Sequence, residues 1–239
     1  VPGNVRISNP GLTYRTLPGD WDMQYAYDLE KAIITEGPDS VAAFIGEPIS
    51  AASGLHIPHP EYWPTIREIC DKYGVIMICD EVINGFGRTG KMFAVENWGI
   101  KPDIMTVAKA LTSGYLPIGA AIASSKVGKV MEGEGPQTFR HLLTFGGSPP
   151  SCAAGLKNLE IMERENLIQN SADNGKYLYE KLQELKEHRI VVDVRGGMGL
   201  LAAVEFGKDN KTFEKFSGNL DGRLGQLMEK HSLLGRGME

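Results

Sequence analysis

Four short apolar runs, set apart by helical and glycine-rich segments, constrain this chain more than anything else in it. They are Val41–Gly46, Val75–Cys79, Asp103–Val107 and Ile118–Ala123. Each is too short for a helix, and mainly apolar rather than alternating. Such runs suit strands buried on both faces of a sheet. Between the first two, Glu61 to Tyr73 has amphipathic helical spacing. It starts just after Pro58 and Pro60, and Gly74 ends it. A strand, a crossover helix and another strand give a parallel or mixed sheet flanked by helices, an α/β fold. Upstream, Tyr25 to Thr35 places Leu29, Ile33 and Ile34 on one helical side, and residues 1–24 read as irregular.

The texture changes after Pro150. Ser151 to Glu165 predicts one helix with Ala153, Leu156, Leu159 and Met162 as its apolar stripe. Ile168 to His188 predicts a second, charged on its outer side. Ile190–Val194 and Leu200–Phe206 predict strands around a turn, Arg195-Gly-Gly-Met-Gly199, and Leu220 to His231 predicts a last helix. This is an α+β module, so the 239 residues divide into 1–158, part of a large domain, and 159–239, part of a smaller C-terminal one.

Composition excludes several classes. A formal net charge of −5 argues against a polyanion-binding surface. No apolar run is long enough to span a membrane and no signal peptide opens the chain, so a cytoplasmic location is expected. Cys70, Cys79 and Cys152 are odd in number and widely spaced, which fits reduced thiols rather than a disulfide framework or a zinc site. His56 and His59 share a proline loop with no further ligand near them, so no metal is expected. The chain opens on Val1 and stops after Arg236-Gly-Met-Glu239, and both ends are expected to be cut.

Ligands of open α/β sheets bind beyond the carboxyl ends of the strands. Asp80 follows one predicted strand and Lys109 the next, so both are expected at one crevice. Each has a plain alternative: Asp80 as a turn or cap residue, Lys109 as a lysine with a buried stem and a solvated head. Lys109 is the one charge in "IMTVAKALTSGYLPIGAAIA" (104–123), and an unpaired ammonium is costly to bury. A desolvated lysine is suited to Schiff-base chemistry, because burial frees its amine as nucleophile and base. An aspartate nearby suits a protonated pyridine nitrogen, the electron sink of pyridoxal phosphate enzymes.

"FIGEPISAASG" (44–54), "ICDEVINGFGRTGKMFAVENWGIKPDIMTVAKALTSGYLPIGA" (78–120) and "HLLTFGGSPPSCAAGLKNLEIMERENL" (141–167) resemble class III aminotransferases, which include the ω-amino acid transaminases. The likeness runs from about residue 5 to the end. It implies the fold-type I PLP-transferase architecture, with residues 1–158 belonging to the cofactor-binding domain. It implies pyridoxal 5'-phosphate as cofactor and a homodimer with shared active sites, with no nucleic acid or membrane partner. Lys109 matches the lysine that forms the internal aldimine and later shuttles the proton. Asp80 matches the partner of the pyridine nitrogen, and Val82 the side chain packed on the ring. Thr144 matches the threonine that reaches the cofactor phosphate of the neighbouring subunit, although a strand threonine with a satisfied hydroxyl is an open alternative. Arg236 matches a mobile arginine that binds the substrate carboxylate, with a solvated surface arginine as the other reading.

The implied reaction moves an amino group from an amine or amino acid to an α-keto acid. Ala52 stands where GABA- and ornithine-type members carry a glutamate, which favours pyruvate as acceptor. Glu47 fits the pocket edge or a structural turn, and Ser148 stands where many relatives have His or Asn. Family chains are nearly twice as long. The resemblance therefore implies that the phosphate-cradling turn, the ring-stacking aromatic and the extreme C-terminus lie outside this chain. Three other readings stay open: a catalytically incompetent fragment serving as a binding or dimerisation module, a same-fold aminomutase or decarboxylase, and a P-loop NTPase. The last rests on Gly85-Phe-Gly-Arg-Thr-Gly-Lys91, which lacks the Ser or Thr that should follow.

Overall fold

The computed structural model describes residues 3–10, 21–132 and 138–212. Helix α1 (Trp21–Glu36) leads into strand β1 (Ala43–Gly46), helix α2 (Tyr62–Tyr73) and strand β2 (Ile76–Asp80). Strands β3 (Ile104–Val107) and β4 (Ala120–Ala123) follow, then α3 (Ser125–Met131), α4 (Pro149–Arg164), α5 (Leu167–Glu184), β5 (Val191–Met198) and β6 (Leu201–Phe206). The first four strands form one sheet in the order β1-β2-β3-β4. The β1–β2 and β2–β3 pairs are parallel and β3–β4 is antiparallel, so the sheet is mixed. Strands β5 and β6 form a separate antiparallel hairpin.

The main core lies where α1 and α2 cover the sheet. Helix α2 buries Trp63, Ile66, Ile69 and Cys70 against Leu29 and Ile33 of α1 and Met77 and Cys79 of β2. Fully burying each of the Leu, Ile and Met side chains among them is worth roughly 1.5–3 kcal/mol. The Trp63 indole N–H donates to the Pro48 carbonyl at 2.9 Å, so its polar handle is satisfied inside. Gly74 ends α2 in the left-handed conformation, φ 68°, as glycine does at helix C-termini. Asp103 pins this layer to the sheet: it accepts from the Met77 N–H at 2.9 Å and the Arg67 guanidinium at 2.9 Å. Arg67 also donates to Asp71 at 2.8 Å.

Several expectations need correction. Double coverage of the strands is not provided by the described residues: β4 is exposed throughout and Ile45 of β1 is 60% exposed. Ile34 faces solvent, unlike Leu29 and Ile33. The proposed stripe on α4 is buried only at Met162; Ala153 and Leu156 are exposed, and the close-packed face runs through Ser151 and Gly155 instead. Arg195-Gly-Gly-Met198 is not the turn. Strand β5 runs through it with a register irregularity between Arg195 and Met198, and the chain turns at Gly199–Leu200. Helix α5 stops at Glu184 and a 3-10 turn, Leu185–Glu187, continues the predicted helix. The predicted helix Leu220–His231 lies outside the described residues.

Candidate active site

Strands β2 and β3 lie side by side and parallel, with Asp80 paired to Thr106 in register. Asp80 is the last residue of β2, and Lys109 stands three residues beyond Thr106, opening a 3-10 turn, Lys109–Leu111. Both are therefore carried at the carboxyl edge of the sheet. Asp80 Oδ1 accepts from the Val82 N–H at 3.0 Å, a local turn bond. Oδ2 has no partner among the described residues. Val82 is half-buried.

Lys109 is exposed, contrary to the burial expected of it. The chain leaves β3 through Ala108 and bends at Lys109, φ 39°, which sets the residue on an open cleft of about 670 Å³. Phe86, Arg88, Lys109, Ser113, Asn158 and Ser171 line part of that cleft. Asp80 is not among its lining residues; Ile83 is. Phe86, Lys109 and Ser113 all have positive φ (60°, 39° and 51°), conformations unfavourable for non-glycine residues and held here by their surroundings. The Lys109 ammonium has no partner among the described residues.

Asn158, a residue that carries no signal in the sequence, holds the turn after Lys109. Its amide donates to the Ala110 and Leu111 carbonyls at 2.8 and 3.2 Å, and the Ser113 hydroxyl donates to its Oδ1 at 2.7 Å. Glu81 is a second such residue, fully buried beside Asp80. Its carboxylate accepts from the Val95 and Ala94 N–H groups at 2.9 and 3.0 Å. Burial pushes its carboxyl up to about 7; those two bonds oppose the shift, while Glu96 and Asp80 add to it.

The remaining candidates are scattered. Thr144 lies in a turn, not a strand, and is exposed. Leu142 and Phe145 flank it at 95% and 89% exposure. Arg236 lies outside the described residues. Glu47 is half-buried and accepts from the Ala51 N–H at 3.2 Å, at the edge of a smaller cleft of about 210 Å³ that holds neither Lys109 nor Asp80. Arg195 reaches across from the hairpin to the Gly54 carbonyl at 2.7 Å and pairs with Asp193 and Glu205, both at 2.7 Å.

The glycine-rich loop does not form a phosphate cradle. Phe86, Gly87 and Gly90 spend their N–H groups on the Met92, Lys91 and Gly87 carbonyls, and a 3-10 helix rather than an α-helix follows. His59 Nδ1 accepts from the Glu61 N–H, and no cluster of three or more metal-ligating side chains occurs among the described residues. The three cysteines are free. Among the described residues no helix is long and apolar enough to cross a membrane.

The family model for aminotransferase class-III matches residues 8–223. A putrescine–pyruvate aminotransferase of Pseudomonas aeruginosa is 40% identical over 235 residues, covering 97% of this chain and 50% of that protein. A diaminobutyrate–2-oxoglutarate transaminase of Halomonas elongata is 44% identical over 216 residues, 88% of this chain and 44% of that one. Among solved structures, an omega transaminase from Pseudomonas jessenii in complex with PMP superposes with a TM-score of 0.85 at 37% identity, over 91% of this chain and 49% of that one. The chain thus spans about half the length of the curated relatives it matches.

Proposed function

The chain belongs to the class-III aminotransferases, and from that premise we propose that the protein moves an amino group from an amine or amino acid to an α-keto acid, with Lys109 as its catalytic residue. The observation that carries this reading is the pair of available groups at adjacent parallel strand ends: the Asp80 Oδ2 and the Lys109 ammonium, neither engaged by a described residue. Such a pair would suit pyridoxal 5'-phosphate. When bound, that cofactor supplies an aldehyde for an amine and a ring that withdraws electrons.

Asp80 Oδ2 would accept a hydrogen bond from the protonated ring nitrogen and keep the proton there, while Val82 N–H holds Oδ1 in place. Val82 would pack on the ring. Lys109 Nζ would hold the cofactor and then, released by the incoming amine, take the proton from the substrate carbon and return it during transfer. Pyruvate is the proposed acceptor, supported by Ala52 and by the pyruvate-linked relative; the 2-oxoglutarate-linked relative makes the acceptor a point for experiment. Thr144 would reach the phosphate in a neighbouring subunit, and exposed Leu142 and Phe145 beside it support a homodimer. Arg236 would bind a substrate carboxylate. The division at residue 158 into cofactor-binding and smaller domains and the cytoplasmic location belong to the same proposal.

A second reading is favoured by one observation, the exposure of Lys109: the 239-residue chain alone serves as a binding or dimerisation module without turnover. The half-reaction separates the readings. Protein loaded with pyridoxal 5'-phosphate and given only an amino donor should lose its visible absorption band, and regain it on adding pyruvate with formation of alanine. Lys109→Ala should lower that rate by about 10²- to 10⁴-fold. A band that never changes with donor alone contradicts the transaminase reading. Release of CO₂ identifies a decarboxylase, and an isomerised product an aminomutase.

A further inference from the structure

Glu81 is the residue at the sheet edge that the proposed chemistry leaves unused. It has no exposed surface, and all of its hydrogen-bonding groups are engaged. Its N–H donates to the Thr106 carbonyl at 2.9 Å, extending the β2–β3 ladder one residue past Asp80. Its carbonyl accepts from the Gly85 N–H at 2.9 Å, closing the turn that follows. Its two carboxylate oxygens take the Ala94 and Val95 N–H groups, the first donors of a 3-10 helix 13 and 14 residues along the chain. One side chain thus ties both ends of the 82–93 loop to the end of β2. The orphan donor pair at a helix start and the two buried carboxyl oxygens satisfy each other.

We propose that Glu81 is a positioning residue: by clamping the 82–93 loop onto β2 it fixes the direction of the Asp80 carboxylate and of Val82 at the cofactor site. The inference rests on the transaminase reading and extends it to a residue that touches neither substrate nor cofactor. Asp80 has one oxygen held by Val82 N–H, so the main-chain path from 80 to 82 sets where the other points. Glu81 is the centre of that path. Glu81→Gln keeps the shape but offers one acceptor where two N–H groups need one each. It therefore leaves one donor unpaired and loosens the loop.

The test compares two cofactors in one preparation of each protein: pyridoxal 5'-phosphate, and its 1-deaza analogue, which lacks the ring nitrogen that Asp80 would hold. Glu81→Gln should weaken the first by about tenfold, the loss of one well-aimed charge-assisted hydrogen bond, and the second by less than about twofold. Taking the ratio within one preparation cancels any loss of folded protein, so a less stable variant still decides the matter. Glu81→Met, which keeps volume and removes both acceptors, should widen the ratio further. Equal penalties for both cofactors would overturn the inference, leaving Glu81 a purely structural group. A parent protein that takes up pyridoxal phosphate without modification of Lys109 would overturn the transaminase reading and this inference with it.

Discussion

Glycine in a helix interior ordinarily invites replacement by alanine, which gains about 0.5–1 kcal/mol. Gly175 of α5 should do the opposite. A Cβ on Gly175 would overlap the carbonyl of Gly199, at the turn between β5 and β6. Gly199 cannot retreat, because a Cβ placed on it would itself collide with the Arg88 carbonyl and the Gly90 nitrogen. Gly90 in turn approaches α5, where its own Cβ would lie 2.9 Å from that of Ala172. The Leu200 N–H bonds the Arg88 carbonyl at 3.1 Å and locks the arrangement. Three main chains therefore meet with no side chain between them, and backbone does not yield as a flexible side chain does. Overpacking of this kind costs about 1–3 kcal/mol, which outweighs the helix gain. Gly175→Ala should destabilise the protein by about 1–2 kcal/mol in urea unfolding followed by far-UV circular dichroism. Gly128→Ala in α3 is the control: nothing lies within 4 Å of its added Cβ, so it should stabilise by up to about 1 kcal/mol. If both variants stabilise alike, α5 does not seat on the 82–93 loop and does not wall the Lys109 cleft.

Two further expectations follow from buried charges. Glu81 has its folded-state carboxyl raised to about 7, so it stabilises fully below about pH 4.5 and loses that contribution as pH rises through about 7. The loss is of order 3 kcal/mol, and the stability difference between parent and Glu81→Gln, measured in urea at pH 5 and pH 8, should shift toward the variant at the higher pH; a difference independent of pH would contradict it. Burial alone would raise the Asp103 carboxyl, but the Met77 N–H and Arg67 hold it below its usual range. Asp103→Ala should therefore leave the buried Met77 N–H unpaired and Arg67 with Asp71 alone, at about 2–4 kcal/mol in thermal unfolding, and a loss under about 1 kcal/mol would refute its place as a clip.

Strands β1 to β3 and helix α2 were legible because their signals are local. Apolar runs bounded by Gly74 and Asp80, and prolines before Tyr62, need no partner to be read. The β5 segment is not legible locally, because Gly196 and Gly197 look like a turn. They sit against the Tyr179 ring, with which an added Cβ would make contacts of 3.0 and 3.3 Å, and the strand carries them as an irregularity. Leu156 satisfies helical periodicity yet is 69% exposed, because periodicity shows which residues share a side and not which side is covered. Asp80 and Lys109 stand out by strand-end position, while Glu81 carries no signal of its own. Its partners Ala94 and Val95 are near only in the fold. The Arg195–Gly54 bond spans 141 residues and has no local signature at all. Lys109 was expected to be buried because its sequence neighbours are apolar, but sequence neighbours do not decide burial after a bend such as the one at φ 39°.

If Lys109 is the cofactor-holding amine, the bond it makes can be trapped on it. The protein is incubated with pyridoxal 5'-phosphate, reduced with borohydride, digested and mapped by mass spectrometry. A single dominant adduct is expected on the peptide containing Lys109, weakened by Asp80→Asn. Adducts spread over surface lysines such as Lys72 and Lys157, with none enriched at Lys109, would contradict it.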